Sequence, residues 1–416
     1  MGRRLLHPVL TAICIALLLS PARAAETQQV ARGRYLATVG DCVICHTRPG
    51  PGSAEFAGGY PLHAAPGTVY SSNITPDKRT GIGTWTVDQF YRAMHEGIAA
   101  DGRHLYPAFP YAYFAKLNRA DTDAIFAYLR TVKPVSYRPP RNRLIFPANI
   151  RAGMAGWNAL FLDSTPFRAN PKKSARWNRG AELVTGVGHC GACHSPKNIL
   201  FADKAGDNLQ GNFVDGWFAP NLTPAKPDGL GGWSAQEIVQ FLKTGRNRHA
   251  WSAGSMRQVV ERSTSRMTDS DLLAIAAYLK SLPPSAARAP HAPAARQMQD
   301  GEAIFVTRCS VCHSRAHVRD YPALAKNTLV QSRDPRTLLR IILQGASSAG
   351  TKQGGSGFSM PAFPVLSDKE LADVATYIRN SWGNRAEPVS ASDVASLRDA
   401  LKSSDQGTGR KSGTGT

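Results

Sequence analysis

Six of the seven cysteines stand in three identical pentads, Cys42-Val43-Ile44-Cys45-His46, Cys190-Gly191-Ala192-Cys193-His194 and Cys309-Ser310-Val311-Cys312-His313. A secreted disulfide scaffold spreads its cysteines over varied spacings, and a zinc ribbon pairs its C-x-x-C elements within a few tens of residues. Here successive pentads lie more than 100 residues apart. The histidine directly after each second cysteine is the pattern of covalent c-type haem attachment. One helical step between the thiols matches the two vinyl edges of the porphyrin, and the following imidazole then points at the iron. The expectation is three covalently bound haem c groups, attached through Cys42, Cys45, Cys190, Cys193, Cys309 and Cys312, with His46, His194 and His313 as iron ligands.

Superposing the pentads exposes a divergent internal repeat of roughly 95 to 145 residues. Each copy opens with a short helical stretch carrying Gly33, Gly180 or Gly301, followed by Tyr35-Leu36, Leu183-Val184 or Ile304-Phe305. Each closes with an apolar-periodic helix behind a polar cap, Asn118 to Arg130, Thr268 to Lys280 and Ser367 to Arg379, with Tyr128, Tyr278 and Tyr377 near its end. The first two copies also share Asn73-Ile74-Thr75-Pro76 with Asn221-Leu222-Thr223-Pro224, and Gly81-Ile82-Gly83-Thr84-Trp85 with Gly229-Leu230-Gly231-Gly232-Trp233. These loops argue for duplication. Their Asn and Trp donors could reach haem propionates, although turn formation and core packing serve equally well.

The 416 residues carry 50 Lys+Arg against 30 Asp+Glu, a formal charge of +20, or +17 once Arg3, Arg4 and Arg23 leave with a leader. Such a balance suits acidic partners or an anionic membrane surface. The basic residues are scattered, with no run of four, which argues against nucleic acid. Residues 1–24 read as a secretory signal peptide: Arg3 and Arg4, an apolar run from Val9 to Leu19, then Ala22-Arg23-Ala24. Cys14 falls inside it, as a passive apolar residue. No later stretch is long and apolar enough for a transmembrane helix, so the mature chain is expected to be exported without one.

The sixth iron position separates electron carriers from haems open to small molecules. In the third repeat Met360 precedes Pro361 and lies 47 residues after His313; in the second, Met256 lies 62 residues after His194, with Met267 as its competitor. The first repeat breaks the pattern, because aligning Trp85 with Trp233 brings Phe109 onto Met256. The remaining donors there are His104, the first choice, then Met94, with His95 and His63 further back, or an open iron.

At these residues the chain resembles the three-haem cytochrome c subunit of bacterial membrane-bound dehydrogenases that oxidise alcohol, gluconate or aldehyde. The resemblance rests on the pentads, the two Asn-x-Thr-Pro loops, Phe146-Pro147-Ala148-Asn149-Ile150-Arg151 with Trp157-Asn158-Ala159-Leu160-Phe161, and Tyr377 through Asn384. It implies an all-α fold of three tandem class I cytochrome c-like domains joined by Pro-rich linkers. The expected divisions are domain 1 at 25–140, a linker at 141–172, domain 2 at 173–284, a linker at 285–297, domain 3 at 298–386, and a polar, largely disordered tail at 387–416. It also implies a periplasmic respiratory electron-transfer subunit, peripherally bound at the inner membrane, that takes electrons from a catalytic partner, a quinoprotein, flavoprotein or molybdenum protein, and passes them to ubiquinone. Family members that oxidise alcohol or gluconate usually have Met where this chain has Phe109, and the departure resembles variants accompanying molybdenum-containing dehydrogenases.

The sequence has no Rossmann fingerprint after a strand, no catalytic triad and no second metal-ligand cluster, so substrate oxidation is assigned to another protein. The alternative from a different class is a self-contained, peroxidase-like haem enzyme using an open first haem. A third reading, three modules holding zinc through C-x-x-C, fails if a pyridine haemochrome spectrum shows three covalent haems per chain.

Overall fold

The computed structural model describes residues 26–286, 289–313 and 323–408, with side chains of the final helix described as far as Lys402. The leader, residues 1–24 with Cys14, lies outside the described residues. The chain divides into two compact units, the first ending at Phe167 and the second running from Arg168.

Each repeat builds the same helical module around one crossing. An opening helix (residues 26–39, Ala175–Thr185 and Ala295–Arg308) lies against a closing helix (Arg119–Leu129, Asp269–Ser281 and Asp368–Asn380). The glycines of the opening helices sit at the contact. A Cβ on Gly33 would stand 1.8 Å from the carbonyl oxygen of Ala124, one on Gly180 1.9 Å from that of Ala274, and one on Gly301 2.2 Å from that of Asp373. Only a residue without a side chain lets the two backbones approach this closely. The tyrosines of the closing helices flank the crossing: Tyr278 Cβ and Tyr377 Cβ lie 2.9 Å and 2.8 Å from the imagined methyls of Gly180 and Gly301.

The caps read from the sequence start all three closing helices, with Asn118, Thr268 and Ser367 accepting from the backbone N–H of Asp121, Asp271 and Glu370. In the first two modules the residue before the glycine, Arg32 or Arg179, pairs with the buried carboxylate of Asp121 or Asp271, and Arg179 does so through two nitrogens at 2.9 Å each. These partners hold the Arg179 guanidinium above its ordinary pKa, the Asp271 hydrogen bonds contributing most. The third module keeps the strap and swaps its charges: Asp300 stands before Gly301 and binds Lys369 of the closing helix at 3.0 Å.

A middle helix completes each module: Val87–Glu96, Ala235–Thr244 and Arg336–Gln344, the first two begun by full capping boxes at Thr86 and Ser234. Short β elements accompany the helices and carry no signal in the helical periodicity. A hairpin pairs Pro61–Ala64 with Gly67–Tyr70 and adds Arg143–Leu144 as a third strand; others pair Asn212–Val214 with Trp217–Ala219 and Ala346–Ser347 with Ser359–Met360.

Three expectations about the connections change. Segment 141–172 is not a bare linker in its first part: Arg143–Leu144 joins the first sheet, and a helix, Gly153–Phe161, buries Trp157 against Tyr111. The second and third modules are packed into one unit. Thr337 Oγ1 accepts from the Phe218 N–H at 2.8 Å and donates to its carbonyl at 3.1 Å, Arg340 donates to the Gly216 carbonyl at 2.7 Å, and its guanidinium lies 4.2 Å from the Trp217 ring. The segment after 387 is helical from Ala391 and contributes Val389, Val394 and Leu397 to the core of the third module. Residues 409–416 lie outside the described residues. The buried valines and leucine are five and three residues apart among polar neighbours, too sparse to announce an amphipathic helix.

The crossing gives a direct stability test. Gly180→Ala is expected to destabilise the second unit by about 1–3 kcal/mol, because the added methyl meets backbone and no rotamer can clear it. Gly156→Ala, on a helix where the new Cβ meets nothing within 4 Å, is expected instead to stabilise by about 0.5–1 kcal/mol. Thermal unfolding of the two full-length variants measures both signs.

Candidate functional site

Each pentad occupies a short helical turn beside its opening helix: Cys42–Cys45, Cys190–His194 and Ser310–His313, the last directly continuing the helix that Cys309 caps. One turn places both sulfurs along one edge with the histidine beyond them. The six described cysteines are not joined in disulfides. Burial pushes the Cys42 thiol up to about 12 and the Cys309 thiol up to about 11. Redox-active C-x-x-C pairs are tuned the opposite way, toward thiolate. No group of three or more His, Cys, Asp or Glu side chains converges as a metal cluster among the described residues.

The histidines of the first two pentads are oriented by the backbone. His46 Nδ1 lies 2.6 Å from the carbonyl of Ser72, and His194 Nδ1 lies 2.7 Å from that of Pro220. A nitrogen donating to a carbonyl fixes the tautomer and leaves Nε2 with its lone pair outward, the arrangement of a metal-ligating imidazole. Burial also holds both rings below their ordinary pKa, hence neutral, as a ligand must be.

The carbonyls that do this stand one residue before Asn73 and Asn221. Each asparagine folds its loop into an Asx turn, Oδ1 accepting from the Thr75 N–H at 2.9 Å or the Thr223 N–H at 2.8 Å. Asn73 Nδ2 then ties the segment after the closing helix through the carbonyls of Val135 and Tyr137, and Asn221 Nδ2 reaches Ser285. Their donors are therefore used in the fold rather than left for a propionate. A third copy went unread in the sequence: Asn327 Oδ1 accepts from the Leu329 N–H at 3.0 Å in the same turn, without the Thr-Pro that marks the other two. Trp233 is different. Its indole is buried, stacked on His249, and its Nε1 has no acceptor among the described residues, so it fits an anionic group such as a propionate.

The loops that carry the candidate sixth ligands leave the middle helices through glycines in left-handed or other positive-φ conformations, Gly97 (φ 64), Gly245 (φ 76) and Gly345 (φ 69). The next residue bridges to the returning chain: Ile98 to His104, Arg246 to Trp251, Ala346 to Met360. Phe109 and Met256 both stand five residues beyond their bridge; counted from Trp85 and Trp233 they lie 24 and 23 residues on, because the bridged loop of the first module is one residue longer. Met256 is half-buried on the helix Gly254–Arg262 and Met360 half-buried in its strand. The competitor Met267 is buried at 2% exposure where the closing helix begins.

All three loops are buttressed. The second and third are pressed together: the Trp251 and Phe358 rings lie 5.2 Å apart, Arg246 donates to the Gly354 carbonyl at 2.9 Å, and Glu261 Oε1 accepts from the Gly350 N–H at 3.0 Å. The first is held by the 143–163 segment, where Arg151 Nη1 donates to the His104 carbonyl at 2.8 Å and Asn158 bridges the Glu96 carbonyl and the Tyr111 hydroxyl.

The cytochrome c family model matches residues 178–283 and 298–382, the second and third modules. The gluconate 2-dehydrogenase cytochrome c subunit of Pantoea cypripedii is 39% identical over 396 residues, covering 89% of this chain and 89% of that protein. The cytochrome c subunit of the quinone alcohol dehydrogenase of Gluconobacter oxydans is 36% identical, covering 91% of this chain and 84% of that one. A nicotinate dehydrogenase subunit of Pseudomonas putida is 45% identical over 84% of this chain, which spans only 30% of that longer protein. With alignments that run nearly end to end, the chain belongs to the family of dehydrogenase cytochrome c subunits that includes those of the gluconate, fructose and alcohol enzymes.

Proposed function

We propose that the chain is a three-haem, periplasmic electron-transfer subunit that receives electrons from a catalytic dehydrogenase and passes them to ubiquinone at the inner membrane. The observation that carries this reading is the recurrence of one arrangement: a helical Cys-x-x-Cys-His turn whose histidine, in the first two modules, is locked through Nδ1 to a carbonyl. The family supplies haem c, whose chemistry is the uptake and release of single electrons. The residues of this chain attach it through Cys42, Cys45, Cys190, Cys193, Cys309 and Cys312, hold it through His46, His194 and His313, and close the second and third sites with the thioethers of Met256 and Met360. Thioether ligation raises the potential.

Substrate oxidation is left to a partner. The relative in which a similar segment makes up under a third of a much longer chain supports an intimate association with a larger protein. The strongly basic chain, with no helix long and apolar enough to cross a membrane among the described residues, supports peripheral attachment to an anionic surface.

Met360→Ala is expected to convert one haem of three to a form that binds carbon monoxide on reduction and loses the thioether-to-iron absorption, with the same result at a second haem for Met256→Ala and no change for Met267→Leu. Optical titration of the reduced variants with carbon monoxide measures this. Gentle detergent extraction of the tagged chain from its native membranes, followed by mass spectrometry, is expected to recover a dehydrogenase with it. A chain that comes away alone and turns over peroxide would replace the carrier with a self-contained haem enzyme.

A further inference from the structure

The first module has Phe109 in the register that supplies Met256, yet the bridge position offers a second place for a donor. Across the three modules the residue at the bridge is His104, Trp251 or Met360, and the residue five positions on is Phe109, Met256 or Val365. Every module thus presents one side chain able to ligate iron at one of two equivalent places, and a non-ligating side chain at the other. His104 is the member for the first module, in the register of Met360.

The surroundings of His104 agree. Its backbone is fixed from both sides, by the bridge to Ile98 and by Arg151, whose guanidinium is itself seated 4.4 Å from the Tyr106 ring. The residue is half-buried, and its Nδ1 is buried without a hydrogen-bond partner among the described residues. A buried ring nitrogen left unused is costly unless something absent from the polypeptide engages the ring. The other histidines of this module each have a hydrogen-bond partner. His95 stacks on Tyr91 at 3.9 Å and directs Nε2 to Thr122 of the closing helix, although its Nδ1, like that of His104, is buried without a partner among the described residues, and His63 Nδ1 pairs with Thr68 within the hairpin. Met94, 4% exposed on the middle helix, is the remaining rival.

We propose that His104 is the sixth ligand of the first haem, making it the one bis-histidine haem of the three and the lowest in potential, and so the upstream end of the chain's electron path. The proposal rests on the three-haem reading above and adds to it an order. Two imidazoles stabilise the oxidised iron more than an imidazole and a thioether do, so electrons run downhill from the first haem to the Met-ligated pair.

Electron paramagnetic resonance and near-infrared magnetic circular dichroism of the oxidised full-length protein, with a spectroscopic redox titration, test it. The expected result is one bis-histidine low-spin signal for every two histidine–methionine signals, with the lowest midpoint belonging to the former. His104→Ala is expected to turn that one haem high-spin and open to carbon monoxide, and His104→Met to keep it low-spin while changing its signature to histidine–methionine and raising its midpoint. Three histidine–methionine signals in the unaltered protein, a high-spin first haem, or loss of its low-spin signal in Met94→Leu but not in His104→Met would overturn the assignment. A spin count below three haems per chain would instead overturn the reading on which it rests.

Discussion

Everything in this chain hangs on a backbone-to-backbone helix crossing repeated three times. Gly33, Gly180 and Gly301 bring the opening helix so close to the closing one that an added methyl would fall within about 2 Å of a carbonyl oxygen. That crossing fixes where the opening helix ends, and the helix end fixes the Cys-x-x-Cys-His turn. The strap beside the glycine is kept in effect rather than in sign, Arg32 and Arg179 reaching an aspartate in the first two modules while Asp300 reaches a lysine in the third. The same contact is made with the charges exchanged, because an ion pair needs only opposite partners at the right separation.

Around this frame the other contacts gather on the loops that leave the middle helices. A loop with little packing of its own is prone to open locally. The second and third modules solve this by leaning on each other through Trp251, Phe358, Arg246 and Glu261. The first is strapped by its own connecting segment, through Arg151, Trp157 and Asn158. The division into two compact units goes with that difference: one module completes the loop after its middle helix with a strap, the other two complete theirs as a pair.

Much of this was legible in the sequence. The pentads, the caps Asn118, Thr268 and Ser367 and the glycines of the crossing are all local or periodic signals, and the structure has each in place. What escaped is non-local. The 141–172 stretch reads as a linker because its prolines break periodicity, while the contacts that dock it join Arg151 to His104 and Asn158 to Glu96, 47 and 62 residues away. The helix after Ala391 hides because few apolar residues mark its buried face, and Asn327 hides because its turn needs only the asparagine. The mutual packing of the second and third modules has no sequence signature, since Thr337 and Arg340 bind main-chain carbonyls, which every residue possesses.

The central claim is that all three pentads carry haem, and intact-mass spectrometry of the denatured chain tests it most directly. Thioether bonds survive denaturation, so the account predicts a mature polypeptide heavier by three haem masses, with tryptic fragments bearing one haem each at Cys42–Cys45, Cys190–Cys193 and Cys309–Cys312. A polypeptide that loses its haem on denaturation, or that carries fewer than three, would contradict it.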